Sequence, residues 1–125
     1  MKQREYVVRS DVVPRVAQVT DRGVFVKSLL TEKIGTKNLY FAMGILEPGA
    51  SAPTSGFVKH DVEEGEFCLN GHGQAAFRDK TYRIEPGMAF YIPAGVAHRF
   101  MNTADEPLIM LYAYPAIKAE RTVVE

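Results

Sequence analysis

The chain has 125 residues, and its 15 basic and 15 acidic side chains cancel in formal charge. The charges are scattered rather than clustered in a basic stripe, which is not the pattern of a nucleic-acid binder. No apolar run approaches the ~18 residues needed to span a bilayer. A chain of this length buries roughly 65% of its unfolded surface as one domain, so any metal would serve chemistry rather than folding.

The cysteine content indicates a compartment. Cys68 is the single cysteine, so it has no partner within the chain for a disulfide. This fits a reducing environment. The first ten residues, "MKQREYVVRS", carry charges but lack the apolar stretch of a secretory signal. We therefore predict a soluble cytoplasmic protein with neither a membrane nor a nucleic acid as partner.

Short strands are predicted along most of the chain, because apolar and polar residues alternate between turn-forming segments. The turn-forming segments include "EPGASAPTSG", "NGHG", "EPG", "IPAG" and "NTADEP". In chain order, the predicted strands are Tyr6 to Arg9, Val24 to Leu30, Asn38 to Leu46, Phe57 to His60, Glu66 to Asn70, Gln74 to Phe77, Thr81 to Ile84, Met88 to Ile92, Ala97 to Met101 and Leu108 to Tyr114.

Helices contribute little to the prediction. The best helical window, Asp11 to Thr20, is interrupted by Pro14 and is rich in β-branched residues, which disfavour a helix. The pattern therefore predicts an all-β domain, either a sandwich, a jelly roll or a small barrel. Residues 115–125 could form an ordered edge strand or a loose tail, and the sequence leaves both open.

Three residues have the chemistry of a metal site. Two histidines and one carboxylate can hold a divalent ion while leaving coordination positions open for substrate or oxygen. His60 lies near the end of one predicted strand, and Glu64 starts the next after a short connection. We expect these two strands to be antiparallel neighbours. His98 would come from a separate strand that follows the turn Pro93 to Gly95.

The segment around His98 resembles the second conserved motif of the cupin superfamily. The residues that carry this resemblance stand at the spacing of the motif without departures: Gly87, Pro93, Gly95, His98 and Asn102.

The segment around His60 resembles the first cupin motif with two departures. His60 falls on the second histidine of that motif, Glu64 on its glutamate and Gly71 on its closing glycine. Val58 stands where the motif has its first histidine, and Ala52 where it has its opening glycine. The chain thus resembles a small single-domain cupin over about Leu46 to Tyr114.

The resemblance implies a jelly-roll barrel, also called a double-stranded β-helix. Residues 1–125 would form a single cupin domain, with a motif-bearing core at about 46–114, N-terminal strands in 6–30 and a C-terminal tail at 115–125. Such barrels are frequently dimeric, so the resemblance implies a homodimer. They hold Fe, Mn, Ni, Zn or Cu in the barrel mouth, here through His60, Glu64 and His98. Family members include oxygenases, isomerases, decarboxylases, lyases and non-catalytic sugar binders, so the fold does not fix the reaction.

Val58 and Glu66 distinguish this chain from the family pattern. Val58 reduces the usual set of three histidines and one glutamate to two histidines and one glutamate, which is still a facial set with an open position. Glu66 shares a strand face with Glu64, where cupins usually have an apolar residue. We predict that Glu66 is a fourth metal ligand or a catalytic general acid/base, unless a bulge at Gly65 turns it to solvent.

Five large side chains are candidates for the lining of a substrate site. Aromatic and thioether side chains would suit a small, partly apolar organic molecule. The candidates are Tyr40, Phe90, Phe100, Met110 and Tyr112.

Three classes of function fit these observations. The first is a metal-dependent enzyme, an oxygenase, isomerase or lyase acting on a small organic substrate. The second is a metal-poor cupin that binds a sugar or another small ligand without chemistry. The third is a metal-free epimerase or cyclase that uses Glu66 as acid and base.

Overall fold

The structure, a computed structural model, describes residues 6–125. Within this range the chain forms strands and two short 3₁₀ turns, Ser10–Val12 and Glu32–Ile34. The predicted all-β fold is confirmed. No helix among the described residues is long and apolar enough to cross a membrane.

The strands form two antiparallel sheets. In the first sheet the spatial order is β1-β2-β3-β11-β6-β9, with the bounds β1 Val16–Ala17, β2 Val24–Leu30, β3 Tyr40–Leu46, β6 Glu64–Asn70, β9 Ala89–Ile92 and β11 Leu108–Tyr114. In the second sheet the order is β12-β5-β10-β7-β8, and β4 also pairs with β10. Its bounds are β4 Ser51–Ala52, β5 Phe57–His60, β7 Gly73–Phe77, β8 Thr81–Ile84, β10 His98–Met101 and β12 Arg121–Val124.

Most strand predictions agree with the structure, and the exceptions lie at the ends of the chain. The strand predicted at Tyr6 to Arg9 is wrong, because these residues pair with no strand and lead into a 3₁₀ turn. For residues 115–125 the sequence left open an ordered edge strand or a loose tail. The structure shows an edge strand, β12, which pairs with β5 along its whole length. The two-residue strands β1 and β4 are too short to produce an alternating pattern in the sequence.

The core lies between the two sheets. Along β3, every second residue from Ala42 is buried, and along β11 Leu108 and Met110 are buried in the same way. This alternation places one face of each strand against the opposite sheet. Buried side chains from both sheets form one cluster, which includes Val24, Leu46, Cys68, Ala75, Ile84, Phe90, Ile92, Phe100, Leu108 and Met110.

The connection between β5 and β6 crosses from one sheet to the other. The expectation that these two strands pair is wrong, because β5 bonds to β10 and β12 while β6 bonds to β11 and β9. Only residues 61–63 separate the two strands. As a result of this short crossing, β5 and β6 lie in opposite sheets and face each other across the interior.

Asn102 closes the barrel behind β10 with its side chain. The amide nitrogen donates to the carbonyls of Leu46 and Glu106 at 2.9 and 2.8 Å, and the amide oxygen accepts from the backbone N–H of Ala104 at 2.9 Å. The side chain is buried, so these bonds replace the ones that water would supply. Asn102 is therefore a structural residue that fixes backbone.

Gly73 offers a test of how closely the strands pack. A Cβ atom at this position would collide with the carbonyl oxygen of Met101 and lie 3.1 Å from a methyl group of Leu108. We predict that Gly73→Ala lowers the free energy of unfolding by about 1–3 kcal/mol, the usual cost of overpacking. Urea denaturation followed by circular dichroism measures the change.

Gly65→Ala is the matched control, because Gly65 also lies within a strand but has no atom within 4 Å of the place that an added methyl group would occupy. We expect its stability to change by less than about 0.5 kcal/mol. Equal unfolding midpoints for the two variants would contradict the packing described here.

Candidate functional site

The two histidines of the candidate site lie on neighbouring strands of the second sheet. His98 begins β10 and stands opposite Val58 of β5, and His60 lies two residues further along β5. All three side chains therefore point to the same face. The Gly95 N–H donates to the His60 carbonyl at 2.7 Å and ties the turn before β10 to the end of β5. As a result, the two imidazole centroids are 5.4 Å apart.

Glu64 reaches this pair of histidines from the opposite sheet. It begins β6, and its side chain is only 5% exposed. Glu64 Oε1 lies 3.9 Å from His98 Nε2. One ligand atom from each of His60, Glu64 and His98 lies within 4.8 Å of the others. The short crossing between β5 and β6 thus brings the three predicted ligands together across the barrel.

The protonation of both histidines suits a metal ligand. His98 Nδ1 lies 2.9 Å from the Val96 carbonyl, which can only accept, so the proton is on Nδ1 and Nε2 presents a lone pair to the interior. Burial lowers the pKa of His98. Burial, with smaller contributions from His98 and Arg121, lowers the pKa of His60 to about 4. Both rings are therefore neutral near pH 7, as metal coordination requires.

Two buried polar atoms of the site lack a partner within the described residues. Glu64 Oε1 and His60 Nδ1 are inaccessible to solvent and take part in no hydrogen bond. Such atoms are costly to bury unless something satisfies them. A carboxylate oxygen and imidazole nitrogens are ligands that divalent transition metals accept. The residues present therefore fit a divalent cation.

Glu66 faces the same interior. It stands opposite Phe90 of β9 and Tyr112 of β11 in unbroken register with Glu64, so no bulge occurs at Gly65. The one irregularity in the pairing of β6 with β11 lies further along β6, after Cys68, which is the partner of Met110. The side chain of Glu66 therefore points into the barrel, which keeps a role in coordination or proton transfer open to it.

The carboxyl groups of Glu64 and Glu66 lie close enough to influence each other's ionisation. Burial raises the pKa of Glu64 to about 7 against a smaller opposing effect of the hydrogen bond from Glu66. Burial, then the charge of Glu64 and the same hydrogen bond, raises the pKa of Glu66 well above its usual value. Both shifts favour the neutral, protonated form of these carboxyl groups.

These residues line a cavity of about 420 Å³ between the sheets. One end carries the polar groups of His60, Glu64, Glu66 and His98. The other walls are largely apolar and are formed mainly by strands of the first sheet, including Val16, Val24, Val26, Leu46, Met110 and the tyrosines Tyr40, Tyr112 and Tyr114. A volume of this size suits a small organic molecule rather than a polymer.

Four of the five predicted substrate residues line this cavity, namely Tyr40, Phe100, Met110 and Tyr112. Phe90 does not. Its ring packs edge-to-face against Phe100 at 5.9 Å and supports it from behind. The Phe90 side chain points inward from β9, as the alternation predicts. It does not reach the cavity because Phe100 forms the wall there.

The tyrosines form a network along one wall. Tyr40 shares a 2.6 Å hydrogen bond with Ser28 and stacks on Tyr114 at 4.8 Å between ring centroids. Burial, followed by the effects of Tyr40, raises the pKa of Tyr112 far above its usual value. Tyr112 therefore stays a neutral phenol. Tyr114 is absent from the residues predicted from the sequence, although the period of two from Met110 and Tyr112 points to it.

Comparison with known proteins identifies the family to which the site belongs. The sequence model of the family described as "Cupin domain" matches residues 42–114. The match includes His60, Glu64, Glu66 and His98. It confirms the resemblance found in the two sequence motifs.

Several of the similar curated proteins are archaeal glucose-6-phosphate isomerases. The chain is 27% identical to glucose-6-phosphate isomerase of Thermococcus litoralis, over 89% of this chain and 64% of the relative. It is 35% identical to glucose-6-phosphate isomerase of Thermococcus onnurineus, over 68% of this chain and 50% of the relative. The chain thus spans between half and two thirds of the length of these curated relatives.

Similar solved structures share the fold. A protein from Thermotoga maritima described as a predicted oxalate decarboxylase is 28% identical, with a TM-score of 0.76 over 89% of this chain and 99% of that chain. A polyketide cyclase from Streptomyces resistomycificus is 19% identical, with a TM-score of 0.84 over 97% of this chain and 86% of that chain. Together with the two sheets, these likenesses confirm the jelly-roll barrel.

Val58 provides a test of the site's geometry. It is 4% exposed, lines the cavity and stands opposite His98. An imidazole at this position would face the same interior as the other candidate ligands. We predict that Val58→His tightens Zn²⁺ binding by about tenfold or more, because it completes a four-ligand set. Calorimetric titration of metal-free protein with Zn²⁺ measures the affinity.

Val58→Asn is the control, since it places a polar side chain at the same position but offers a much poorer zinc ligand. Its zinc affinity should match that of the wild type. If Val58→His bound zinc no more tightly than Val58→Asn, the inferred ligand geometry around Val58 would be wrong.

Proposed function

The chain belongs to the cupin domain family, and from this we propose that it is a metal-dependent enzyme of the isomerase or lyase type. Its substrate is a small organic molecule, and a divalent metal is held by His60, Glu64 and His98. We favour these types over an oxygenase because a carboxyl group able to move protons, Glu66, lies beside the candidate ligands.

The observation that carries this proposal is the convergence of three ligand atoms in the barrel interior. They lie within 4.8 Å of one another, and two polar atoms of the cluster, Glu64 Oε1 and His60 Nδ1, lack partners in the described part of the chain. Structural needs do not explain it, since a cluster of unpaired polar atoms destabilises a small barrel. A function that uses a bound cation offsets this cost.

The cation would supply one chemical function, polarisation of a carbonyl, carboxylate or hydroxyl oxygen of the substrate as a Lewis acid. The other groups of the cavity orient the molecule. The apolar walls exclude water from its carbon skeleton, and the neutral phenol of Tyr112 offers a hydrogen bond at the same level of the barrel as Glu66.

Glu66 would move the proton. As a carboxylate it takes a proton from the carbon next to a carbonyl, and as a carboxylic acid it returns the proton to a neighbouring carbon or oxygen. A carboxyl group whose pKa lies above its usual range is suited to both steps near neutral pH. The number of protons is conserved over the cycle, as an isomerisation requires.

The relatives support this type of reaction. Two relatives, at 35% and 36% identity, are glucose-6-phosphate isomerases, and a solved structure at 28% identity is described as a predicted oxalate decarboxylase. Both names denote reactions of small oxygenated molecules. Glucose 6-phosphate and oxalate are therefore the first substrates to test.

A metal-free enzyme is the second candidate, because Glu64 and Glu66 place two neighbouring carboxyl groups in the lining of the cavity. Such a pair shares a proton and can act as acid and base, as an epimerase or cyclase would need. Binding of a sugar or other ligand without chemistry is the remaining candidate. Activity that persists in a chelator would favour the metal-free enzyme. Binding of a ligand without any turnover would favour the non-catalytic binder.

We also propose that the protein is a homodimer in the cytoplasm. The outer strand β1 is short and exposes Val16, and the outer strand β9 exposes Tyr91. Edge strands with exposed apolar side chains favour association with a second copy. The cytoplasmic location rests on Cys68, the single cysteine of the chain, which is buried and unpaired.

We expect His98→Ala to abolish metal retention. Removal of this ligand leaves Glu64 with one imidazole, and loss of even a supporting partner of a ligand typically weakens affinity by about 10–100-fold. Equilibrium dialysis against Zn²⁺ or Mn²⁺, followed by elemental analysis, measures the bound metal. The wild type should retain one equivalent.

His72→Ala is the matched control, because His72 lies in an exposed turn 3.9 Å from Glu106 and outside the cavity that holds the ligands. It should retain as much metal as the wild type. Equal metal content in His98→Ala and the wild type would rule out the proposed ligand set.

We predict that Glu66→Gln loses proton transfer while it keeps metal binding. The amide has nearly the same shape but cannot exchange a proton, so turnover and exchange of substrate hydrogen with D₂O should fall by about 10²–10⁴-fold. NMR of glucose 6-phosphate incubated with metal-loaded protein in D₂O measures the exchange.

Glu63→Gln is the control for this change. Glu63 lies in the same segment but points outward, where it accepts a hydrogen bond from the Tyr91 hydroxyl at 3.0 Å. It should exchange hydrogen at the wild-type rate. A Glu66→Gln protein as active as Glu63→Gln would show that another group moves the proton.

A further inference from the structure

The C-terminal edge strand delivers an arginine into the cavity. Arg121 begins β12 and stands directly opposite His60 of β5. Side chains of directly opposed residues share a face of the sheet, so Arg121 enters the cavity beside a candidate metal ligand. Both residues line the same space. Its charge also lowers the pKa of His60 and His98, after the larger effect of burial.

Polar groups near the start of β2 hold this arginine in place. Arg121 Nη2 donates to Asp21 Oδ2 at 2.7 Å, and Nη1 donates to Thr20 Oγ1 at 3.3 Å. Asp21 is itself 5% exposed, and its other oxygen accepts the Thr54 N–H at 3.1 Å. The guanidinium is therefore fixed from one side before any ligand arrives, which lowers the entropy that binding must overcome.

The other side of the guanidinium is available. Each terminal nitrogen has a second N–H, and Nε has one, for which the described residues supply no partner. The side chain is 35% exposed although its anchor Asp21 is buried. A planar fork with free donors matches the two oxygens of a carboxylate or a phosphate.

Arg121 is also the source of positive charge in the cavity. Among the described lining residues it is the sole lysine or arginine. Asp21, Glu64 and Glu66 are the acids. Thr54 hydrogen-bonds to Asp21 and so draws part of the aspartate's charge away from the arginine.

We propose that Arg121 binds an anionic group of the substrate, a carboxylate or a phosphate, and selects anionic over neutral substrates. The substrate then spans the cavity, with its anion at Arg121 and its reacting carbon near Glu66 and the ligand cluster. This inference rests on the proposed function, because it assigns a substrate class to the same cavity.

Two pairs of probes that differ in one anionic group test this role. Glucose 6-phosphate is compared with glucose, and benzoate with benzyl alcohol, by ligand-observed NMR titration in EDTA so that no anion binds through a metal. Wild-type protein should bind the anion of at least one pair about tenfold more tightly than its neutral partner, the value of a charge-assisted hydrogen bond. Preference in the first pair alone identifies a phosphate, and preference in the second pair alone a carboxylate.

The test variant is Asp21→Asn combined with Arg121→Gln, which removes the ion pair without leaving a buried aspartate unpaired. It should lose the preference, so that the anion and the neutral probe bind with affinities within about twofold of each other. Arg121→Lys keeps the charge but not the fork and should retain part of the preference. Arg83→Gln is the matched control, because Arg83 lies on β8 in an exposed ion pair with Glu85.

A zinc titration of the same proteins separates this inference from the proposed function. If zinc binds but neither anion is preferred, or if the double variant keeps the preference, the role of Arg121 is overturned and the metal site stands. If the preference is present and Arg121-dependent but zinc does not bind, the metal-dependent function fails and the anion site stands.

Discussion

The three-residue crossing between β5 and β6 is the constraint on which the site depends. Residues 61–63 carry the chain from one sheet to the other, so His60 and Glu64 face each other across the interior rather than along one sheet. The hydrogen bond from Gly95 to the His60 carbonyl then adds His98 from the adjacent strand. Because both links are made by backbone, the ligand cluster is set by the fold and does not require a flexible loop to close.

Burial of acidic groups imposes a second condition on this interior. Two carboxyl groups that both carried charge so close together would repel each other in a medium that solvates them poorly. The chain meets this condition in two ways: the pKa of Glu66 is raised, which favours its neutral form, and Asp21 is paired with Arg121. A cation at Glu64 would satisfy that carboxylate and lower its pKa, which would leave Glu66 as the group free to exchange protons.

The sequence predicts the part of this structure that local pattern determines, and long-range pairing determines the rest. The bounds of β2, β5, β8 and β11 follow from alternation and turn residues alone. The motif spacing predicts that His60, Glu64 and His98 meet, and the structure places their ligand atoms within 4.8 Å of one another. Each of these three residues lies at a strand end, where spacing along the chain limits position in space.

By contrast, alternation is the same whether β5 and β6 share a sheet or lie in opposite sheets, so it could not predict their placement. Arg121 is far from His60 along the chain, and only the register of β12 against β5 brings them together.

Val58 and Glu66 both alter the chemistry of the barrel interior: Val58 removes one candidate metal ligand, and Glu66 adds a group that can exchange a proton. A valine at the position opposite His98 removes one imidazole and leaves an apolar surface where a fourth ligand would stand. A glutamate two residues after Glu64 adds a carboxyl group in a region of low polarity, which raises the pKa of that group. Fewer ligands leave more coordination positions for substrate oxygens, while the added carboxyl group supplies a proton beside them. A fixed guanidinium lies next to His60 in the same cavity. Under the proposed function, the interior would thus have separate groups for binding an oxygen, exchanging a proton and recognising an anion. For this reason we propose isomerisation or elimination on an anionic substrate rather than electron transfer to oxygen.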